Sequence, residues 1–98
     1  MIKRRNLRNS DQVKVTFVLA EDQPYGKVSV VGDFNDWDPQ ANPLRKRSNQ
    51  TYSAAVTLEK GKRYLYRYQG ADGTWFNADD ADAYESNEFG EQNGVLLT

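Results

Sequence analysis

The sequence predicts an all-β domain, an antiparallel β-sandwich. Three observations carry this expectation. Apolar and polar residues alternate with period two in several short runs. Turn residues separate those runs, at Gln23-Pro-Tyr-Gly26, Glu59-Lys-Gly61 and Asp72-Gly73. No segment longer than about eight residues has the period of a helix. At 98 residues the chain has material for one domain and not for two.

Taken in order, residues 1–12 are polar and basic without periodicity, so they read as a flexible arm before a single domain at 13–98. Lys3, Arg4, Arg5 and Arg8 of that arm suit a solvated tail, or contact with a phosphate or an acidic partner. Val13, Val15, Phe17 and Leu19 alternate with Lys14, Thr16 and Val18 as a half-buried strand. Val28 to Val31 is a second strand, closed by Gly32. Asp33 to Asn49 reads as a long loop with two prolines, and its basic run Arg45-Lys-Arg47 as a solvated part of it. Tyr52, Ala54, Val56 and Leu58 mark a third strand, and Tyr64, Tyr66 and Tyr68 a fourth. Trp75 and Phe76 open a fifth strand after the Asp-Gly turn. Asn77 to Gln92 is acidic and loop-like, and Val95 to Leu97 forms the last strand.

Composition narrows the chemistry. A hydrophobic fraction of 38% and a charged fraction of 28% are ordinary for a soluble globular protein. The net charge of −1 gives no general attraction to nucleic acid or to an anionic membrane. The absence of cysteine excludes disulfides and thiolate zinc sites. The absence of histidine removes the commonest general base and the commonest transition-metal ligand. No segment has the length of a signal peptide's apolar core or of a membrane span, so a cytoplasmic location is expected. Asp79, Asp80, Asp82 and Glu85 do not fit a calcium loop, because Ala81 and Asp82 fall where a ligand and a glycine belong. Neither a metal nor another cofactor is expected. Glycosidase chemistry needs two carboxylates in a water-excluding cleft, and a sandwich of this size has little material for one. A non-catalytic role is expected.

The aromatic residues point to binding. Tyr64, Tyr66 and Tyr68 share one face of their strand, with hydroxyls expected to reach polar partners at the sheet edge. Arg67 then faces outward, either as a paired surface charge or as a fork of donors for a ligand. Trp37 and Trp75 both stand beside turns. Each can be read as core folded under a loop, or as an exposed apolar face on which a sugar ring stacks. An apolar platform with a few placed polar groups is the general design of a ligand site.

The order of Val28-Ser-Val-Val-Gly-Asp-Phe-Asn-Asp-Trp37, Pro43-Leu44, Gly61, Tyr66-Arg67-Tyr68, Asp72-Gly-Thr-Trp75 and Phe89-Gly-Glu-Gln-Asn93 resembles carbohydrate-binding module family 48. That family is also called the isoamylase N-terminal or early set domain. The chain resembles in particular the glycogen-binding module of the AMP-activated protein kinase β subunit. The resemblance covers about residues 13–98. It implies an immunoglobulin-like sandwich that binds α-1,4-linked glucan such as glycogen, starch or maltooligosaccharide. It implies stacking roles for Trp37 and Trp75, hydrogen bonding by Arg67 and Asn93, and insertion of Phe89 as a wedge into the helical glucan. Three positions depart from the kinase pattern: Arg67 replaces lysine, Phe89 replaces leucine and Glu91 replaces threonine. Arginine and lysine differ in donor geometry.

Many family members fused to branching and debranching enzymes act as packing domains. A protein–protein adaptor for a glucan-metabolising enzyme is therefore the rival expectation, with no appreciable sugar affinity. Met1 and a strand closing near residue 98 lead to the expectation of a complete small protein, monomeric, without an attached barrel of about 250 residues.

Overall fold

The computed structural model describes all of residues 1–98. Nine strands build two antiparallel sheets that face each other as a β-sandwich. The first sheet has the order β1-β2-β5-β4, from β1 (Ile2–Asn6), β2 (Gln12–Ala20), β5 (Thr51–Glu59) and β4 (Arg45–Lys46). The second has the order β3-β6-β9-β8, from β3 (Val28–Gly32), β6 (Arg63–Gly70), β9 (Gln92–Leu97) and β8 (Ala83–Ser86). The short β7 (Trp75–Phe76) pairs with the end of β6. Strand β6 thus has β3 along one edge and shares the other between β9 and β7.

Alternation sets the core. Val13, Val15 and Phe17 of β2 point inward, as do Val28 and Val30 of β3 and Tyr66 and Tyr68 of β6. Phe17 lies at the centre, with ring centroids 5.7 Å from Phe34, 5.2 Å from Tyr66 and 6.4 Å from Tyr68. The Phe34 pair is stacked at 21°, while the pairs with Tyr66 and Tyr68 are tilted and edge-on, arrangements that aromatic quadrupoles favour. No helix is long and apolar enough to cross a membrane.

Four features differ from the sequence reading. Residues 2–6 are not a loose arm but an edge strand, in register from Ile2 opposite Phe17 to Asn6 opposite Val13. Only Ile2 in this strand is partly buried, so the alternation is masked by charge. The acidic stretch 77–92 contains β8, whose four residues are all exposed and so carry no apolar signal. Within the expected loop 33–49, Asp33–Asn35 forms a 3₁₀ turn and Arg45–Lys46 forms β4 on the edge of β5. Arg47 is anchored as well, with Nε donating to Ser53 Oγ at 2.8 Å.

The fourth difference concerns the tyrosines. Tyr66 and Tyr68 do point inward, but the Tyr68 hydroxyl is fully buried and meets no polar group of the protein. Burial raises its pKa well above the ordinary phenol value. The ring's aromatic contacts outweigh the unpaired hydroxyl at this position. Tyr68→Phe should therefore leave stability unchanged or raise it by about 1 kcal/mol. Urea unfolding checks this, and a loss of more than about 1 kcal/mol would mean that the hydroxyl is bonded.

Candidate functional site

The outer face of the second sheet carries the site. Residues opposite one another in an antiparallel pair share a face. Leu65 and Arg67 of β6, Trp75 of β7, Asn93 of β9 and Glu85 of β8 therefore point the same way. Val31 and Val95 lie on this face too, yet both are buried beneath the loops that cover it.

The first such loop follows Gly32. This glycine is required by clearance and not by its extended backbone angles. A Cβ here would lie 2.5 Å from the Leu65 carbonyl oxygen and 2.9 Å from Tyr66 Cβ. The close approach brings Asp33 onto β6, where one carboxylate oxygen accepts the Leu65 N–H at 2.8 Å. The other accepts the Trp37 indole N–H at 3.2 Å. Phe34 packs into the core, and Asn35 ties the turn together. Its Oδ1 accepts the Gly32 N–H at 3.0 Å, while its Nδ2 donates to the Val30 carbonyl and to Asn42 Oδ1. Asp36 and Trp37 then both adopt left-handed backbone, with φ of 55° and 58°. Such conformations are costly for non-glycine residues and gather at functional sites.

The second tryptophan is held by its neighbour. Phe76 stacks on Tyr25 at 3.8 Å and 7° on the core side, and its ring lies 5.5 Å from Tyr68. Alternation then turns Trp75 outward, where it is 39% exposed. Trp37 is half-buried. The two ring centroids are 6.1 Å apart with planes 28° from parallel, so the indoles form one joined apolar surface.

Arg67 is not a surface charge, as its residue is only 8% exposed. Its Nη1 meets Glu91 Oε1 at 2.5 Å, its Nε donates to Asn77 Oδ1 at 3.2 Å, and its guanidinium lies 5.9 Å from the Trp75 ring centroid. Two of its five N–H donors are committed in these bonds. Glu91, which stands where the kinase pattern has threonine, here serves to aim the arginine.

The third loop joins β8 to β9. Asn87 organises it: its Oδ1 accepts the backbone N–H groups of Phe89 and Glu91, at 3.0 and 3.1 Å. Its Nδ2 donates to Asn93 Oδ1 at 3.2 Å, so the Asn93 amide keeps its own donors. Gly90 takes the positive φ of 78° that closes the turn. Phe89 stands out at the tip, 81% exposed.

Trp37, Arg67, Trp75, Phe89 and Asn93 thus line a single open groove of about 1060 Å³. Leu65, Thr74, Ser86, Asn87 and the carboxylates of Glu85, Glu88 and Glu91 complete it. Sequence reasoning missed Asp33, Asn77 and Asn87 as organisers. Asn87 carries a usable signal, a turn asparagine three residues before a glycine. Asn77 carries none, since its partners Arg67 and Gln92 are remote in sequence. Of the acids weighed as a calcium loop, Asp82 pairs with Arg4 at 2.5 Å and Glu85 with Arg63 at 3.0 Å.

Residues 26–85 match the family model described as carbohydrate-binding module 48, the isoamylase N-terminal domain. The chain belongs to this family. The matched segment runs from the turn before β3 to β8 and contains both tryptophan loops. An amylopullulanase of Thermoanaerobacter thermohydrosulfuricus is 34% identical over 84 residues, covering 82% of this chain and 5% of the relative. A 1,4-alpha-glucan branching enzyme of Xanthomonas campestris pv. campestris is 44% identical over 48 residues, covering 48% of this chain and 7% of the relative. That of Deinococcus radiodurans is 41% identical over 58 residues, covering 58% and 8%. The module thus spans a small fraction of the length of these relatives.

Two outcomes test the scaffold of the groove. Gly32→Ala should cost at least about 2 kcal/mol in chemical denaturation, because the new methyl meets backbone on β6. The second concerns the turn before Trp75, where Asp72 accepts the Thr74 N–H at 3.0 Å. Hydrogen bonds from the Thr74 backbone and hydroxyl hold the Asp72 carboxyl below its ordinary pKa of 3.8. A depressed carboxylate stabilises the folded turn above the ordinary value and stops doing so as pH falls through the depressed one. The Thr74 amide resonance should therefore titrate below pH 3.8. A midpoint at or above that value would contradict the turn's geometry.

Proposed function

We propose that this module binds α-1,4-linked glucan without transforming it. The observation that supports this most is the joined indole surface of Trp37 and Trp75 beside partly committed donors. The Trp37 indole N–H is engaged with Asp33, so what the ring offers a ligand is its apolar face. The CH faces of successive glucose units stack on the two rings. The remaining N–H groups of Arg67 and the amide of Asn93 then donate to sugar hydroxyls. Phe89, exposed at the groove's edge, inserts against the curved inner side of the glucan. The ligand class follows the glucan enzymes among the relatives, named for branching and for amylopullulanase activity.

The non-catalytic part of the proposal has its own support. Glu85, Glu88 and Glu91 line the groove but are all exposed, and two of the three sit in ion pairs. A general acid needs a dry pocket that raises its pKa. The ion pair of Arg67 with Glu91 instead suits a donor fixed before the ligand arrives.

Titration of the isotope-labelled protein with a maltooligosaccharide of about seven units tests the reading, with a cellooligosaccharide as control. The α-linked sugar alone should shift the two indole N–H signals and the amides near Arg67 and Asn93. Trp37→Ala or Trp75→Ala should each weaken binding by about 2 kcal/mol, roughly thirtyfold. Undiminished affinity in both variants would remove the groove from the proposal. An absence of shifts at millimolar sugar would leave the adaptor role in its place.

A further inference from the structure

The charge of the molecule is unevenly spread over its two outer faces. By register, Lys3 and Arg5 of β1 and Lys14 of β2 share the outward face of the first sheet with Arg45 of β4. Arg47 joins them by bonding to Ser53, which lies opposite Arg45. All five side chains are exposed, and none is in an ion pair. Elsewhere Arg4, Lys46, Arg63 and Arg67 each meet a carboxylate within 3.0 Å, while Arg8, Lys27 and Lys60 stand unpaired but scattered. The one carboxylate that shares the outward register, Glu59, sits at the end of β5, 3.9 Å from Lys62.

Between the cations lies a floor of Thr16, Val18, Ala55 and Thr57, small or β-branched and uncharged. Lys3, Arg5 and Lys14 rim one side, and Arg45 and Arg47 rim the other. Strands β1 and β4 are three spacings apart, about 14 Å, the width of one packed secondary-structure element. Arg5 stands directly opposite Lys14, and like charges in that position destabilise a sheet. The fold gains nothing visible in exchange. Such a cluster of unpaired cations is free to meet opposite charge brought by a partner.

We propose that this face docks on an acidic protein surface, with the two basic rims straddling the partner and the flat floor beneath it. A compact acidic patch fits better than a long polyanion. The whole chain carries −1. With five cations gathered here, the rest of the molecule is strongly negative and repels any polyanion that extends past the rims. The face belongs to the sheet that does not carry the groove, so it is independent of the glucan proposal and can be occupied at the same time.

The test uses the labelled protein and two probes, a glutamate-rich helical peptide of about five turns and a short DNA duplex. The peptide should shift amides of β1, β2, β4 and β5 at low salt and lose affinity at high salt. Lys14→Glu and Arg45→Glu, one on each rim, should each weaken the peptide at least about tenfold. Both should leave the maltooligosaccharide titration unchanged. Lys14→Glu should also raise the melting temperature, since it converts the repulsion with Arg5 into a pair. The proposal is overturned by an absence of shifts at millimolar peptide or by shifts confined to the groove sheet. It is equally overturned if the duplex binds more tightly than the peptide, or if neither variant changes the peptide's affinity.

Discussion

The backbone clearance at Gly32 governs much of this molecule. Strand β3 comes so close to β6 that no side chain fits between them. That approach lets the carboxylate of Asp33 reach the Leu65 N–H and the Trp37 indole together. A single residue thereby ties the edge of the sheet to the Trp37 ring. The core profits from the same turn, because Phe34 enters it beside Phe17 and Tyr64. Sandwich packing and groove geometry are consequently two results of one contact. The family motif around Trp37 is dense in polar residues because nearly each of them closes one bond of this turn.

The groove is built by reach across the chain and not by local sequence. Arg67 emerges from the middle of β6, yet its orientation depends on Asn77, Trp75 and Glu91 from two different connections. Asn77 fills the gap where β7 and β9 share an edge of β6, bonding the Gln92 carbonyl on one side and Arg67 on the other. The left-handed backbone at Asp36 and Trp37 costs of order 1–3 kcal/mol per residue. The hydrogen bonds of Asn35 and Asp33 hold it in place. The strain and the rigid donors belong to the same design, in which the fold's own hydrogen bonds shape the groove.

What was legible in the sequence follows from where period-two alternation survives. Strands β2, β3, β5, β6 and β9 bury one face against the core, so their valines, tyrosines and leucines announce them. Strand β1 runs at an edge and presents mostly charge. Strand β8 is exposed throughout and shows no alternation. The convergence of Trp37, Arg67, Trp75, Phe89 and Asn93 came from motif resemblance, since no spacing in the chain brings residues 37 and 93 together. The burial of Arg67 was not legible because its covering groups lie at 75, 77 and 91. Nor was the buried Tyr68 hydroxyl, since a tyrosine in an alternating strand gives no sign of whether its tip finds a partner.

The chain contains two tryptophans, and both line the groove. The core is aromatic, but its rings are phenylalanine and tyrosine. Light absorbed by the buried tyrosines can pass to the indole pair, so tryptophan emission arises at the groove alone. The near-ultraviolet dichroism carries the mutual coupling of two indoles 6.1 Å apart. The protein is in effect its own optical reporter, with the interior as antenna and the groove as emitter.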